Sequence, residues 1–73
     1  MNCEVKIHTE YIKLDQLLKL SGIAESGSMA KEMVLEEIVS VNGEICTMRG
    51  KKLRQGDSVS VDFGGETHEV TVI

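Results

Sequence analysis

Residues 12–44 read IKLDQLLKLSGIAESGSMAKEMVLEEIVSVNGE, and within them the spacing of apolar residues changes from helical to extended. Three leucines first recur at the spacing that places side chains on one face of a helix: Leu14, Leu17 and Leu18. Gly22 follows this pattern and can adopt the positive φ that often ends a helix. The pattern predicts a first helix over residues 13–21.

A second helical pattern begins a few residues later. Its apolar face is formed by Ala30, Met33 and Val34. Ser26 or Ser28 can cap its first turn with a hydroxyl group, so we predict a helix over residues 28–37. Because the connection is short, the two helices must turn back on each other, and their apolar faces need a further surface to cover them.

The rest of the chain alternates apolar and polar residues, which is the period of half-buried strands. This alternation predicts a short edge strand over residues 3–8, a hairpin over 39–47 and a second hairpin over 58–73. Two pairs of residues predict the tight turns: Asn42-Gly43 and Gly64-Gly65. The predicted fold is α+β, with an antiparallel helix pair packed on a small, mostly antiparallel sheet.

Length and composition indicate one small globular domain. The chain has 73 residues, of which 41% are hydrophobic and 27% charged. It contains no apolar run near the ~20 residues of a membrane helix, and its first ten residues lack the pattern of an export signal. We therefore expect a cytoplasmic monomer without a membrane partner, in which Cys3 and Cys46 are reduced thiols.

Charge is unevenly distributed along the chain. The formal net charge is −4, yet residues 45–55 contain no acid and hold four of the eight basic residues: Arg49, Lys51, Lys52 and Arg54. Such a segment can bind a polyanion, because salt screens the field of acids more than about 8 Å away. A solvated loop that is basic for solubility is the alternative.

The sequence contains partial matches to catalytic and metal-binding patterns, but none of them is complete. Ser28 and Lys31 match the SxxK spacing of some acylating hydrolases, but 73 residues cannot supply the cleft and further motifs of those enzymes. His8 and His68 lack metal-ligand spacing, and the Gly64-Gly65 pair is followed by eight residues. We therefore predict no catalytic residue, no cofactor and no metal.

Four segments, in their order and spacing, resemble the S4 RNA-binding domain and specifically its short stand-alone bacterial members: LDQLLKLSG (14–22), ESGSMAK (25–31), VSVNGE (39–44) and RGKKLRQGDSV (49–59). The resemblance extends from Tyr11 to about Val70. It implies a pair of antiparallel helices on a small sheet, which is also the fold that periodicity predicts. It further implies a non-catalytic module that binds structured RNA, ribosomal or transfer RNA among the candidates.

In this family, RNA contacts a surface formed by the start of the first helix, the second helix and the hairpin loop after it. The resemblance therefore implies an RNA-binding set made of Lys13, Lys19, Lys31, Arg49, Lys51 and Lys52, with Arg54 as a looser member. Lysine and arginine at such positions contact phosphates and read shape before sequence. Tyr11 is the one candidate for stacking on a base, and we interpret it as a packing residue at the start of the first helix.

The sequence also departs from the family pattern. Glu37 stands where relatives commonly have glycine, which implies a non-glycine residue in the left-handed region at a cost of about 1 kcal/mol. Ser40 and Met48 stand where basic residues are found, so the basic surface is thinner than usual. An alternative function is a protein-interaction module that docks a larger partner through its sheet edge or through the acidic helix end at Glu32, Glu36 and Glu37.

Overall fold

The computed structural model describes residues 2–73, and the α+β class predicted from the sequence is confirmed. Within the described residues the elements follow this order: β1 (Asn2–Val5), β2 (Ile12–Lys13), α1 (Leu14–Leu20), α2 (Gly27–Leu35), β3 (Val39–Val41), β4 (Glu44–Ile45), β5 (Lys52–Leu53), β6 (Ser58–Phe63) and β7 (Glu66–Val72).

The first helix, α1, is one residue shorter at each end than the predicted 13–21. Lys13 is extended, with φ −76° and ψ 148°, because it pairs with Lys52 in a two-stranded ladder before the helix begins. Gly22 has φ +84°, which confirms its predicted role after the helix. Helix α1 therefore starts directly from a strand.

The second helix, α2, begins one residue before the predicted 28–37 and ends two residues earlier. Ser26 caps it, because its hydroxyl oxygen accepts the backbone N–H of Met29 at 3.2 Å. Glu37 lies beyond the helix with φ 60°, so the left-handed conformation implied by the resemblance is present. Among residues 2–73, neither helix is long and apolar enough to cross a membrane.

Five strands form the main sheet in the order β1-β7-β6-β3-β4, and β1 and β7 are parallel while the other pairs are antiparallel. Strand β1 is an edge strand as predicted, although it spans Asn2–Val5 rather than 3–8. In the predicted hairpin over 39–47 the second strand ends at Ile45, although the N–H of Cys46 still donates to the carbonyl of Val39 at 2.9 Å. Strands β2 and β5 form a separate two-stranded sheet that periodicity did not predict, since two residues are too few to show a period.

One hydrophobic core joins the helices to one face of the main sheet. Its fully buried members include residues of both helices and of the long strands: Leu14, Leu17, Leu18, Ala30, Val59, Val61, Val70 and Val72. The opposite face, here called the outer face, is not covered by a helix and carries alternate residues such as Ser40, Ser60 and Glu69. The Ser58 hydroxyl lies 3.3 Å from the Glu69 carboxylate on this face.

Candidate nucleic-acid interface

The short β2–β5 ladder brings the start of α1 to the basic segment. Ile12 pairs with Leu53, and both side chains are buried, whereas the neighbouring pair of Lys13 and Lys52 is exposed. Because successive side chains on a strand point to opposite sides, burial of the apolar pair turns the two lysines outward together. Two cations that are far apart in sequence thus lie side by side.

The start of α1 is capped by backbone atoms of the basic segment. The N–H of Leu14 donates to the carbonyl of Lys51 at 2.9 Å, and the N–H of Asp15 donates to the carbonyl of Arg49 at 3.0 Å. These groups would otherwise lack partners, because the first N–H groups of a helix have none within it and Lys13 supplies no side-chain cap. The segment is therefore held against the helix. We call Lys13, Arg49, Lys51 and Lys52 together the basic end.

Cations of the basic end are exposed and have no carboxylate partner. Among residues 2–73, the only ion pair within 4.0 Å joins His68 to Glu66, at 3.9 Å. Asp15 is the nearest acid in sequence to Lys13, and one of its oxygens accepts the N–H of Gln16 at 2.9 Å. The positive charges of the basic end are therefore available to an external anion.

Tyr11 lies beside the basic end but is not a free stacking platform. Its ring is half-buried, and the ammonium group of Lys52 lies 4.9 Å from the ring centroid. A cation at this distance from an aromatic face is attracted to it, typically by 0.5–1 kcal/mol at an exposed site. The contact fixes the direction of the Lys52 side chain and agrees with the interpretation of Tyr11 as a packing residue.

The backbone at Arg54 is held by a polar network that the sequence pattern did not reveal. The carboxylate of Asp57 accepts the N–H of Arg54 at 2.8 Å and the side-chain amide of Asn42 at 3.2 Å. The amide oxygen of Asn42 in turn accepts the N–H of Ser58 at 3.0 Å. The hydrogen bond from Arg54, then that from Asn42, holds the pKa of the Asp57 carboxyl below its ordinary value. The network ties the β3–β4 turn to the end of β5.

The Arg54 side chain borders a different part of the surface, a groove lined also by Gln55 and residues 6–10. Asp57 lies three residues after Arg54 and directly before a strand, where an aspartate is a turn signal. This signal could have indicated the hydrogen bonds that Asp57 accepts from Arg54 and Asn42. The structure thus leaves Arg54 outside the group that surrounds the start of α1.

Lys19 and Lys31 are exposed, but they lie on the helices rather than in the loop. Lys19 occupies the last turn of α1, about 9 Å along the helix axis from Lys13 for a rise of 1.5 Å per residue. Its side chain lies beside Gly27, the first residue of α2. Of the seven predicted site residues, four therefore belong to the basic end, whereas Lys19 and Lys31 lie on the helices and Arg54 borders another groove.

The residues that were candidates for catalysis or metal binding occupy ordinary positions in the fold. Ser28 and Lys31 are both exposed on α2. Cys3 and Cys46 are half-buried free thiols. Within the part of the chain that the structure describes, no three His, Cys, Asp or Glu side chains are grouped so that they could hold a metal ion.

A small α+β domain that exposes a group of unpaired cations at one end has the layout of a module that binds a polyanion. The model of the S4 domain matches residues 5–71, and the chain belongs to this family. It is 45% identical over 61 residues to "Probable ribosome maturation protein RlbA" of Bacillus subtilis (strain 168), a match that covers 84% of this chain and 86% of the relative.

A second relative is "Putative RNA-binding protein YbcJ" of Escherichia coli (strain K12), which is 40% identical over 63 residues, with 86% of this chain and 84% of the relative covered. "Uncharacterized protein YbcJ" of Shigella flexneri gives the same values. The matches cover most of each chain, so these relatives are small proteins of similar length.

Proposed function

We propose that this protein is a non-catalytic module that binds structured RNA through the basic end. The observation that carries the proposal is the pair of hydrogen bonds from Leu14 and Asp15 to the Lys51 and Arg49 carbonyls, since these fix the basic segment against α1. Membership of the S4-domain family and the name of the Escherichia coli relative support the same ligand.

Phosphate contact explains why this arrangement suits a folded RNA. Lysine and arginine neutralise phosphates and release bound counterions, and side chains held at fixed positions select the spacing of phosphates in a helix. Lys13, Arg49, Lys51 and Lys52 would form the central contacts, with Lys19 and Lys31 extending them along the helices. Arg54 would reach only an RNA that passes beyond the basic end.

Ribosomal RNA is the first ligand to test, because the name of the Bacillus subtilis relative links that protein to ribosome maturation. Transfer RNA remains a second candidate. We propose that the protein acts in the cytoplasm as a monomer and binds in the micromolar range, because so few phosphate contacts give modest affinity at physiological salt.

The decisive experiment compares two double charge reversals on opposite parts of the molecule. Lys51→Glu with Lys52→Glu should weaken binding to every structured RNA by at least about tenfold. Glu66→Lys with Glu69→Lys, on β7, should not weaken it. Both pairs are exposed, so both variants should remain folded. Electrophoretic mobility and thermal melts measure the two effects.

Salt dependence provides the second readout of the proposal. If ~4 phosphates are contacted, the logarithm of the affinity should fall against the logarithm of salt concentration with a slope of roughly −3. An absence of salt-sensitive RNA binding by the parent at about 50 mM salt, where phosphate contacts are least screened, would refute the proposal.

The alternative is a protein-docking module, and one observation favours it: Leu35 is 63% exposed at the end of α2, next to the acidic residues Glu36 and Glu37. A basic partner with an apolar anchor would fit such a surface. Equal RNA binding by the Lys51→Glu, Lys52→Glu variant and the parent would favour this alternative.

A further inference from the structure

The loop that follows β4 forms a groove whose apolar side chains are turned to solvent. Ile45 is 62% exposed and Met48 is 64% exposed, although both lie within four residues of the basic end. Together with Val41 they border a groove of about 440 Å³. This size lies within the range of small-molecule sites. We call it the β4 groove.

Three polar groups border the β4 groove, and one of them, the Lys51 ammonium, is attracted at longer range by the Asp57 carboxylate. The ammonium of Lys51, the hydroxyl of Thr47 and the carboxylate of Glu44 make no side-chain hydrogen bond or ion pair among residues 2–73. Asn42 also borders the groove, but its amide is occupied by Asp57 and Ser58. The rim therefore offers one cationic donor, one hydroxyl and one anionic acceptor around an apolar surface.

Lys51 belongs both to the β4 groove and to the basic end, so the groove continues the proposed RNA surface. A phosphate is disfavoured inside it, because Glu44 would repel the negative charge. An unpaired base has apolar faces and a polar edge, and its exocyclic amino group can donate to a carboxylate. Met48 adds a thioether, which makes favourable contacts with aromatic rings. The chemistry of the groove thus matches a base and not the backbone.

We infer that the β4 groove binds an unpaired nucleobase carrying an exocyclic amino group, presented by a bulge beside the RNA helix that the basic end holds. The inference rests on the proposed function and names its ligand more closely. Bulged bases are accessible in this way, since proteins that read RNA sequence do so mainly at unpaired positions.

The test compares three RNA hairpins that differ at one position: an uninterrupted duplex, the same duplex with one bulged cytidine, and the same duplex with one bulged uridine. The parent should bind the cytidine bulge about tenfold more tightly than the uninterrupted duplex, which corresponds to about 1.4 kcal/mol. The uridine bulge, which lacks the amino group, should bind with intermediate affinity.

Ile45→Ser with Met48→Ser should remove the preference for the bulge and leave the affinity for the uninterrupted duplex unchanged. Leu20→Ser is the matched control, because Leu20 is 67% exposed at the end of α1 away from the basic end and should leave the preference intact. The melting temperature of each variant verifies that it is folded.

Glu44→Ala separates a base contact from a general electrostatic effect. Removal of an acid beside the basic end should raise the affinity for the uninterrupted duplex. Loss of the acceptor should nevertheless reduce the preference for cytidine over uridine, which an electrostatic effect alone would leave unchanged. An unaltered preference would overturn the assignment of the amino group to Glu44.

Failure of this inference and failure of the proposed function give different results. Equal, salt-sensitive binding of all three hairpins by the parent would overturn the base site while the proposed function stands. Binding of none of the three, at any salt concentration tested, would refute the proposed function itself.

Discussion

The basic end and the main sheet belong to one short chain, but they carry opposite charge and are held together differently. The five strands of the sheet contain no lysine or arginine and five acids: Glu4, Glu44, Asp62, Glu66 and Glu69. The sheet is stabilised by its ladders and by buried valines, whereas the basic end is held by a two-residue ladder and a few hydrogen bonds.

This difference shows why a net charge of −4 does not exclude a polyanionic ligand. Five of the twelve acids lie on the main sheet, whereas four of the eight cations are gathered at the start of α1. Since screening limits each field to about 8 Å at physiological salt, an anion that approaches the basic end experiences mainly the nearby cations. Location, rather than the total charge, decides which ligand is accepted.

Leu53→Ala should produce the largest effect, because it breaks the anchor of the basic end. Leu53 is 0% exposed and pairs with Ile12, so its truncation should lower the free energy of unfolding by about 2–5 kcal/mol. It should also weaken RNA binding, since β5 would no longer be held beside β2. Denaturant titration and binding measured on the folded protein check both effects.

Val70→Ala is the comparison for Leu53→Ala, because Val70 is likewise fully buried but lies in the five-stranded sheet rather than in the β2–β5 ladder. It should lower stability and leave the RNA affinity of the folded protein unchanged. If Leu53→Ala bound RNA as tightly as the parent, the anchoring role of β5 would be wrong.

Asp57→Asn tests the network that joins the sheet to the end of β5, and it should destabilise the protein by about 1–2 kcal/mol at neutral pH. The folded state holds the Asp57 pKa below its ordinary value, so this stabilisation is fully present above the unfolded pKa of about 4. It is lost as the pH falls through the lower folded pKa.

Thermal melts of the parent and the Asp57→Asn variant between pH 7 and pH 2 should therefore converge below about pH 4. Other carboxylates titrate equally in both proteins, so the difference between the two melting temperatures isolates Asp57. A difference that stayed constant to pH 2 would contradict the assigned cause of the pKa shift.

Glu37→Gly should stabilise the protein by up to ~1 kcal/mol, because glycine adopts the φ of 60° found there without steric strain. Asn42 also has positive φ, at 51°, but its side chain bonds to Asp57 and Ser58. Asn42→Gly should accordingly destabilise. Thermal melts of the two variants should move in opposite directions, and a lowered melting temperature for Glu37→Gly would contradict the strain argument.

The smallest expected effects come from adding one lysine to either region. Gln16→Lys, beside Lys13 in the first turn of α1, should tighten RNA binding a few-fold and steepen the salt slope by about 1. Ser60→Lys, in the middle of the outer face, adds the same charge and should change the affinity by less than about twofold. Equal gains in titrations of both variants would show that total charge governs binding.

Periodicity was sufficient for the two helices, the two hairpins and the turns, because each of those elements repeats its apolar spacing over several residues or contains a distinctive glycine pair. It failed at the short elements. The two-residue strands β2, β4 and β5 are too short to carry a period. The helix limits differ from the predicted ones by one or two residues at each end.

The sequence by itself determined the α+β class and the concentration of positive charge in residues 49–54, and its resemblance to the S4 domain implied the left-handed position at Glu37. Only the tertiary structure decided which cations lie together. Lys13 joins Arg49, Lys51 and Lys52 because backbone carbonyls of the loop satisfy the first N–H groups of α1, whereas Arg54 borders a different groove. Hydrogen bonds between segments distant in sequence leave no periodic trace, so only the folded chain reveals them.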